Sequence, residues 1–159
     1  MNNSTMYPHA TLTNSLERGL EFQDFVCIVL AQRNIILQNI SSKKYQFESG
    51  ENLQGFEIKL DKRCTDTQRL SIEVAEKSSR DVLVWTPSGI LRQDNSIVYI
   101  QGNYDRFWVF MKNWLVRYHD QIKPPIEEFN GTIKRFFLTE EEANVGAGWK
   151  WERDSADGL

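Results

Sequence analysis

Cysteine and histidine are scarce in this chain of 159 residues. Cys27 and Cys64 are the only cysteines and lie far apart, so the sequence has neither a disulfide framework nor a Cys-x-x-Cys zinc pair. His9 and His119 are the only histidines, and nothing near either one supports a zinc site or a Ser or Cys triad. These scarcities fit a protein of a reducing compartment.

Long apolar runs and common catalytic motifs are also missing. No run approaches the 18 or so residues that a membrane helix needs, and residues 1–15 lack the basic and apolar regions of a secretory signal. There is no phosphate-binding glycine loop, no His-Glu-x-x-His and no Gly-x-Ser-x-Gly. With 40% hydrophobic and 26% charged residues, the composition predicts one folded, soluble, cytoplasmic domain.

The charge balance is slightly acidic, with 19 basic and 22 acidic residues and a net charge of -3. Alone, this balance argues against a nucleic-acid partner. The acids are concentrated from Glu140 onward, however, so the body of the chain is close to neutral. A groove with local lysines and its own metal ions can still bind phosphate, so DNA and RNA both remain open.

Two helices and two capping boxes are predicted from apolar spacing and helix-end signals. The first helix spans residues 14–33, and Asn14 with Glu17 has the pattern of a capping box at its start. The second spans residues 111–121 and must end before Pro124. Thr139 with Glu142 forms a second capping-box pattern.

Strict alternation of apolar and polar residues predicts two strands, residues 56–61 and 70–77. The short polar linker between them predicts an antiparallel hairpin. The continuous apolar run at residues 81–86 predicts a buried strand. Further strands are predicted at residues 35–40, 45–47, 96–101, 106–111 and 132–138.

The polar face of the predicted hairpin carries the most informative side chains. Glu57, Asp61 and Glu73 would share this face with Lys59 and Lys77. Carboxylate oxygens of this kind can hold Mg²⁺, which acidifies bound water and stabilises charge on a phosphate. The alternative is a solvated face with cross-strand ion pairs, each worth about 0.2–1 kcal/mol.

Three segments resemble the PD-(D/E)xK nuclease superfamily. GLEFQDFVCIVL is similar to the helix that carries an acid in that family, GFEIKLD resembles the strand with the first metal-binding carboxylate, and IEVAEK resembles the strand that ends in the acid-x-lysine pair. The resemblance implies an α/β fold with a restriction-endonuclease-like αβββαβ core, a mixed central sheet and flanking helices. It also implies an Mg²⁺-dependent endonuclease of DNA, with Mn²⁺ as a substitute, acting as a homodimer.

Site residues follow from the resemblance and from the loop charges. The resemblance implies metal binding by Glu57, Asp61, Glu73 and the backbone carbonyl of Val74, with Lys77 or Lys59 beside the attacking water. The family's helix acid falls at Gln23, and Glu17 or Glu21 would substitute for it. The candidate nucleic-acid contacts are Lys43, Lys44, Tyr45, Lys62, Arg63 and Arg69.

Two rival functions remain open. An ordinary acid-x-lysine pair in the third segment would place lysine at Ala75, so the chain is alternatively an inactive nuclease-like module that binds nucleic acid or protein. A third possibility is an interaction protein that uses its C-terminal tryptophans, Trp149 and Trp151. We expect residues 1–138 to form the nuclease-like domain and residues 139–159 an acidic C-terminal helix and tail.

Overall fold

The computed structural model describes residues 8–39 and 49–154 as a mixed α/β fold with two four-stranded sheets. The helices are α1 (Pro8–Ala31), α2 (Cys64–Thr67), α3 (Lys112–Ile122) and α4 (Glu140–Gly146), with a 3₁₀ turn at Gly89–Leu91. The strands are β1 (Phe56–Leu60), β2 (Arg69–Glu76), β3 (Thr86–Pro87), β4 (Val98–Gly102), β5 (Arg106–Met111), β6 (Glu127–Phe129), β7 (Ile133–Thr139) and β8 (Trp149–Glu152).

The first sheet is mixed and has the order β1-β4-β5-β8. β1 runs parallel to β4, whereas β4 with β5 and β5 with β8 are antiparallel pairs. One face of this sheet packs on α1, because the stripe of α1 that includes Phe22, Val26 and Leu30 meets Ile58 and Ile100 in one apolar cluster. Because Ile58 faces α1, Glu57 and Lys59 lie on the opposite face of β1.

The second sheet is antiparallel and has the order β3-β2-β7-β6. One of its faces packs on the first sheet, where Ile72 and Phe136 join Tyr99 and Phe110 in a second buried cluster. Its other face is turned away from that cluster and carries the polar residues of β2 and β7. The two sheets are also joined by side-chain bonds to Ser71, whose N–H is accepted by Asp61 at 2.8 Å.

Several sequence predictions are confirmed. The alternation in β1 and β2 is correct, since Ile58 enters the α1 cluster and Leu70, Ile72 and Val74 enter the second cluster. Residues 98–102, 106–111 and 133–139 are strands, and 112–122 is a helix. The second capping box forms, with Thr139 Oγ1 accepting from the N–H of Glu142 at 3.2 Å.

The predicted hairpin between residues 56–61 and 70–77 is wrong. β1 pairs with β4, and β2 pairs with β3 and β7, so the two strands belong to different sheets. The linker folds into α2, and Gln68 follows it with a φ of 53°, which turns the chain away from the plane of the first sheet. Alternation sets the faces of a strand but not its partners, which explains why the pattern misled the pairing.

Three further predictions of local structure are wrong. Residues 81–85 form no strand: Leu83 is 91% exposed, and only Thr86 and Pro87 pair with β2. Residues 35–38 are not a strand, and Asn39 makes a single bridge to Asn52. α1 begins at Pro8, so Asn14 and Glu17 lie inside the helix and do not cap it. The strand predicted at residues 45–47 lies outside the described residues.

The C-terminal part contributes a helix and a strand. α4 is followed by β8, which forms an edge of the first sheet beside β5. Trp151 stacks on Phe107 with ring centroids 5.2 Å apart and meets the edge of Phe25 on α1. Within the described residues, no helix combines the length and the apolar character needed to cross a membrane.

Candidate active site

An open cleft of about 800 Å³ lies between α1, β1 and the outward face of the second sheet. Gln23 reaches it from α1, and Lys59 and Asp61 from the end of β1. The second sheet contributes the side chains Arg69, Ser71, Glu73, Arg135 and Phe137, together with Glu127 and Phe129 of β6. The cleft therefore combines acids with basic residues from several elements.

A lysine held between two carboxylates lies at the β1 wall of this cleft. The Nζ of Lys59 is 3.2 Å from Oε1 of Glu57 and 3.2 Å from Oε1 of Glu51. Glu57 and Lys59 share a face because they are two positions apart on one strand. Glu51 comes from the segment before β1, where its other oxygen accepts the N–H of Ile58 at 3.0 Å. This bond fixes Glu51 beside the strand.

Glu57 and Lys59 shift each other's pKa values. Burial raises the pKa of Glu57, whose side chain is only 4% exposed, and the nearby ammonium of Lys59 opposes that rise. Burial alone would lower the pKa of Lys59, but the carboxylates of Glu57, Glu51 and Glu73 outweigh it and raise that pKa above its ordinary value. Lys59 is therefore a firmly protonated hydrogen-bond donor.

Glu73 approaches this group from the second sheet. Its Oε1 accepts a hydrogen bond from the hydroxyl of Ser88, which is fully buried. Gly89 follows with a φ of 51°, and a Cβ at that position would collide with the backbone carbonyl of Glu73. The close approach of residues 88–89 thus holds the Glu73 segment in place, which explains the need for glycine here.

A buried lysine, Lys112, is linked to Glu57 through Ser96. Lys112, at the start of α3, donates to Asp94 at 3.0 Å, to the hydroxyl of Ser96 at 2.7 Å and to the backbone carbonyl of Arg92 at 2.8 Å. The hydroxyl of Ser96 is 3.4 Å from Oε2 of Glu57. Residues 88–96 therefore contact both acids, Glu73 through Ser88 and Glu57 through Ser96.

Three of the predicted catalytic or metal-binding groups have other partners. Asp61 accepts the N–H groups of Ser71 and Arg63, at 2.8 and 3.2 Å. The carbonyl of Val74 accepts the N–H of Ser88 at 3.1 Å, beside a bulge in the pairing of β2 with β7. Lys77 donates to the carbonyl of Arg80 at 3.1 Å and lies over the ring of Trp85. The structure therefore brings Lys59, and not Lys77, to Glu57.

The predicted helix and loop residues are distributed unevenly around the cleft. Gln23 lines it, Glu17 is exposed on α1, and Glu21 lines a smaller neighbouring depression with Lys62. Among the predicted nucleic-acid contacts, Lys62, Arg63 and Arg69 all line the cleft. Lys43, Lys44 and Tyr45 lie outside the described residues.

Five residues of the site were not among the residues predicted from the sequence: Glu51, Ser96, Lys112, Arg135 and Phe137. Glu51 falls in a turn-rich stretch that carries no periodic signal. The sequence places Ser88 and Asp94 in a turn at residues 87–95, with a nucleic-acid contact as one alternative there, and does not indicate that this turn supports the acidic groups. One signal was available, because Glu57-Ile58-Lys59 is itself an acid-x-lysine sequence on a strand with clear alternation.

No group of three or more His, Cys, Asp and Glu side chains in the described part of the chain is arranged to hold a metal ion. The ammonium of Lys59 instead bridges the carboxylates of Glu51 and Glu57. Comparison of the chain with protein-family models, with curated proteins and with solved structures found no match.

Proposed function

We propose that this chain is a metal-dependent endonuclease that hydrolyses phosphodiester bonds of DNA on a restriction-endonuclease-like core. The observation that carries the proposal is the Glu51–Lys59–Glu57 arrangement at the wall of a cleft that also displays Arg63, Arg69 and Arg135. The acid-x-lysine pair of the nuclease family is then Glu57 with Lys59, not the pair expected on β2.

The acidic groups suit Mg²⁺ in kind and number. Glu51 and Glu57 both place an oxygen 3.2 Å from the ammonium of Lys59, which occupies the position between them, so an ion would have to bind beside that ammonium. Mg²⁺ commonly binds through one or two carboxylates, waters and substrate phosphates rather than in an all-protein cage. When bound, the ion would supply Lewis-acid stabilisation of the phosphate and a water of lowered pKa.

The chain's own residues have distinct roles in this proposal. Glu57 and Glu51 would hold the cation; the N–H of Ile58 fixes the carboxylate of Glu51, and the hydroxyl of Ser96 lies 3.4 Å from that of Glu57. Lys59 is protonated and a third exposed, so it donates hydrogen bonds to a phosphate oxygen or to the attacking water. Lys62, Arg63 and Arg69 neutralise neighbouring phosphates along the cleft.

Cleavage of supercoiled plasmid in Mg²⁺, in Mn²⁺ and in EDTA tests the proposal. Glu57→Gln keeps the size of the side chain and removes the charge, so we expect it to fold and to lose cleavage. Glu141→Gln, an exposed residue of α4, is the matched control and should cleave like the wild type. Cleavage in EDTA, or full activity of Glu57→Gln, would overturn the proposal.

A catalytically inactive nucleic-acid-binding module is the second candidate. It is favoured by the ammonium of Lys59, which already neutralises two carboxylates, and by the lack of a three-residue metal group in the described ranges. Calorimetric titration with Mg²⁺ and Mn²⁺ separates the two functions. The nuclease requires a metal site that Glu57→Gln abolishes, whereas the inactive module binds DNA without one.

A further inference from the structure

Two arginines and two phenylalanines alternate along one wall of the cleft. The guanidinium carbon of Arg69 lies 4.3 Å from the ring centre of Phe137, and that of Arg135 lies 4.9 Å from the same ring. Arg135 also lies 4.2 Å from the ring centre of Phe129. These four residues, here called the arginine–phenylalanine row, cross β2, β7 and β6, and all of them line the cleft.

Core packing does not explain this row. On β7, Phe136 and Leu138 point into the buried cluster, whereas Arg135 and Phe137 occupy the opposite face. Phe129 is 41% exposed at the far end of the row. Exposing a large aromatic ring on the polar face of a strand costs free energy. The position of Phe129 and Phe137 beside arginines on that face therefore indicates a binding surface rather than core packing.

The arginines have few competing partners. In the register of the sheet, Arg135 lies opposite Glu73 on β2 and opposite Glu127 on β6, yet no ion pair joins either carboxylate to it within the described residues. Arg135 makes one long bond to the hydroxyl of Ser71, at 3.4 Å, and its buried Nε has no hydrogen-bond partner there. The guanidinium of Arg135 is therefore positioned by its contacts with the two rings more than by hydrogen bonds.

We infer that the arginine–phenylalanine row binds an unpaired DNA strand by stacking its bases; this inference rests on the proposed nuclease function of the same cleft. Arg135 lies over both Phe129 and Phe137, whereas Arg69 and Phe129, the two ends of the row, each contact one other member of it. A base can therefore stack at these two ends, while the guanidinium N–H groups are donors for a phosphate. Proteins that bind single strands combine aromatic stacking surfaces with a positive groove. Bases inside a duplex stack on each other, so only an unpaired base can occupy this surface.

The substrate of the cleft is accordingly a strand that is unpaired beside the scissile phosphate. Glu73 lies on β2 two residues from Ser71, which faces Phe137 across the strands, and it lines the same cleft, so a base stacked on the row would lie near Glu73. The row thus selects single-stranded DNA, or a flap or frayed end, over an intact duplex.

Fluorescence anisotropy tests this inference in EDTA, where metal-dependent cleavage does not occur. The probes are labelled oligo(dT), oligo(rU) and a DNA duplex of equal length. Arg69→Lys and Arg135→Lys keep the charge and lose the planar stacking group. We expect each to weaken oligo(dT) binding about tenfold, and the duplex about twofold or less. Arg117→Lys, on the exposed side of α3, is the matched control and should change neither.

Three results would overturn the inference: equal losses for oligo(dT) and duplex, unchanged oligo(dT) binding in both arginine variants, or tighter binding of oligo(rU) than of oligo(dT) by the wild type. Phe129→Leu provides a further check, since its side chain is largely exposed and its replacement should preserve the fold. Because binding is measured without metal, failure here leaves the cleavage test of Glu57 unaffected, and an inactive protein can still show the stacking preference.

Discussion

Replacement of Lys112 by methionine should strongly destabilise the fold. The Lys112 ammonium uses its three donors on Asp94, Ser96 and the Arg92 carbonyl, and the side chains of Lys112 and Asp94 are only 10% and 4% exposed. Methionine preserves most of the stem's volume, so the loss is electrostatic rather than a cavity effect. It leaves a buried carboxylate at Asp94 whose remaining donors come from Ser96.

Loss of one partner of a buried ion pair typically costs about 3–5 kcal/mol. We expect the lower limit, about 3 kcal/mol, because Ser96 still donates to Asp94 from its N–H and its hydroxyl. With a denaturant slope of about 1–3 kcal/mol per molar urea, the urea midpoint should fall by about 1–3 M. Urea unfolding followed by circular dichroism measures this shift.

The double variant identifies the origin of the loss. In Lys112→Met with Asp94→Asn, no charge remains buried and unpaired, so the double variant should be at least about 1 kcal/mol more stable than the sum of the single losses predicts. Arg153→Met is the control, because its pair with Asp105 is mostly exposed and worth less than about 1 kcal/mol. A loss below about 1 kcal/mol for Lys112→Met would refute this reasoning.

Three other outcomes follow from the structure. Burial would raise the pKa of Glu142, but hydrogen bonds from Thr139 and Tyr118 outweigh it and lower that pKa from 4.5, so the stabilisation is present above pH 4.5 and is lost as the pH falls through the lowered value. The stability difference between wild type and Glu142→Gln should therefore shrink as the pH is lowered from 4.5 in acid titrations followed by circular dichroism. Gly89→Ala should cost more than about 1 kcal/mol in urea unfolding and slow any cleavage, because it combines a positive φ with a collision against Glu73; an unchanged midpoint would contradict this. Leu83→Ser should change the thermal midpoint little, whereas Leu70→Ala should lower stability by about 2–5 kcal/mol; a large loss at Leu83 would show that residues 81–85 are buried after all.

Local patterns in the sequence predicted the faces of the strands well. The alternation in residues 56–60 places Glu57 and Lys59 together on the side away from α1, where Lys59 lines the cleft and Glu57 is buried beside it. The capping box at Thr139 was also predictable, because its two reciprocal bonds involve residues only three positions apart.

Strand partners were not predictable from the same patterns. β1 pairs with β4 across about forty residues of chain, and periodicity carries no information about such distant contacts. The prediction for residues 81–86 failed for a different reason. Its apolar residues predict burial, but the chain provides a partner strand only for Thr86 and Pro87, and Trp85 is covered instead by Lys77 and Lys134.

Only part of the candidate site could be predicted from the sequence, because local patterns mark strand faces but not tertiary contacts. Glu57, Lys59 and Glu73 lie on strands whose alternation marks them. Glu51, Ser96 and Lys112 reach the site from a turn-rich segment, a loop and a helix start, where residue type alone does not indicate direction. Their roles depend on tertiary contacts between segments distant in sequence, which only the folded structure reveals.

The most direct test of the account is the rate of plasmid cleavage by Glu57→Gln relative to Glu141→Gln and wild type, under identical Mg²⁺ and protein concentrations. Loss of a residue that merely orients a metal ligand commonly costs 10–100-fold, so loss of a ligand itself should slow cleavage by at least about 100-fold. We predict that loss for Glu57→Gln alone, with wild-type circular dichroism for both variants. Equal cleavage by the two variants would contradict it.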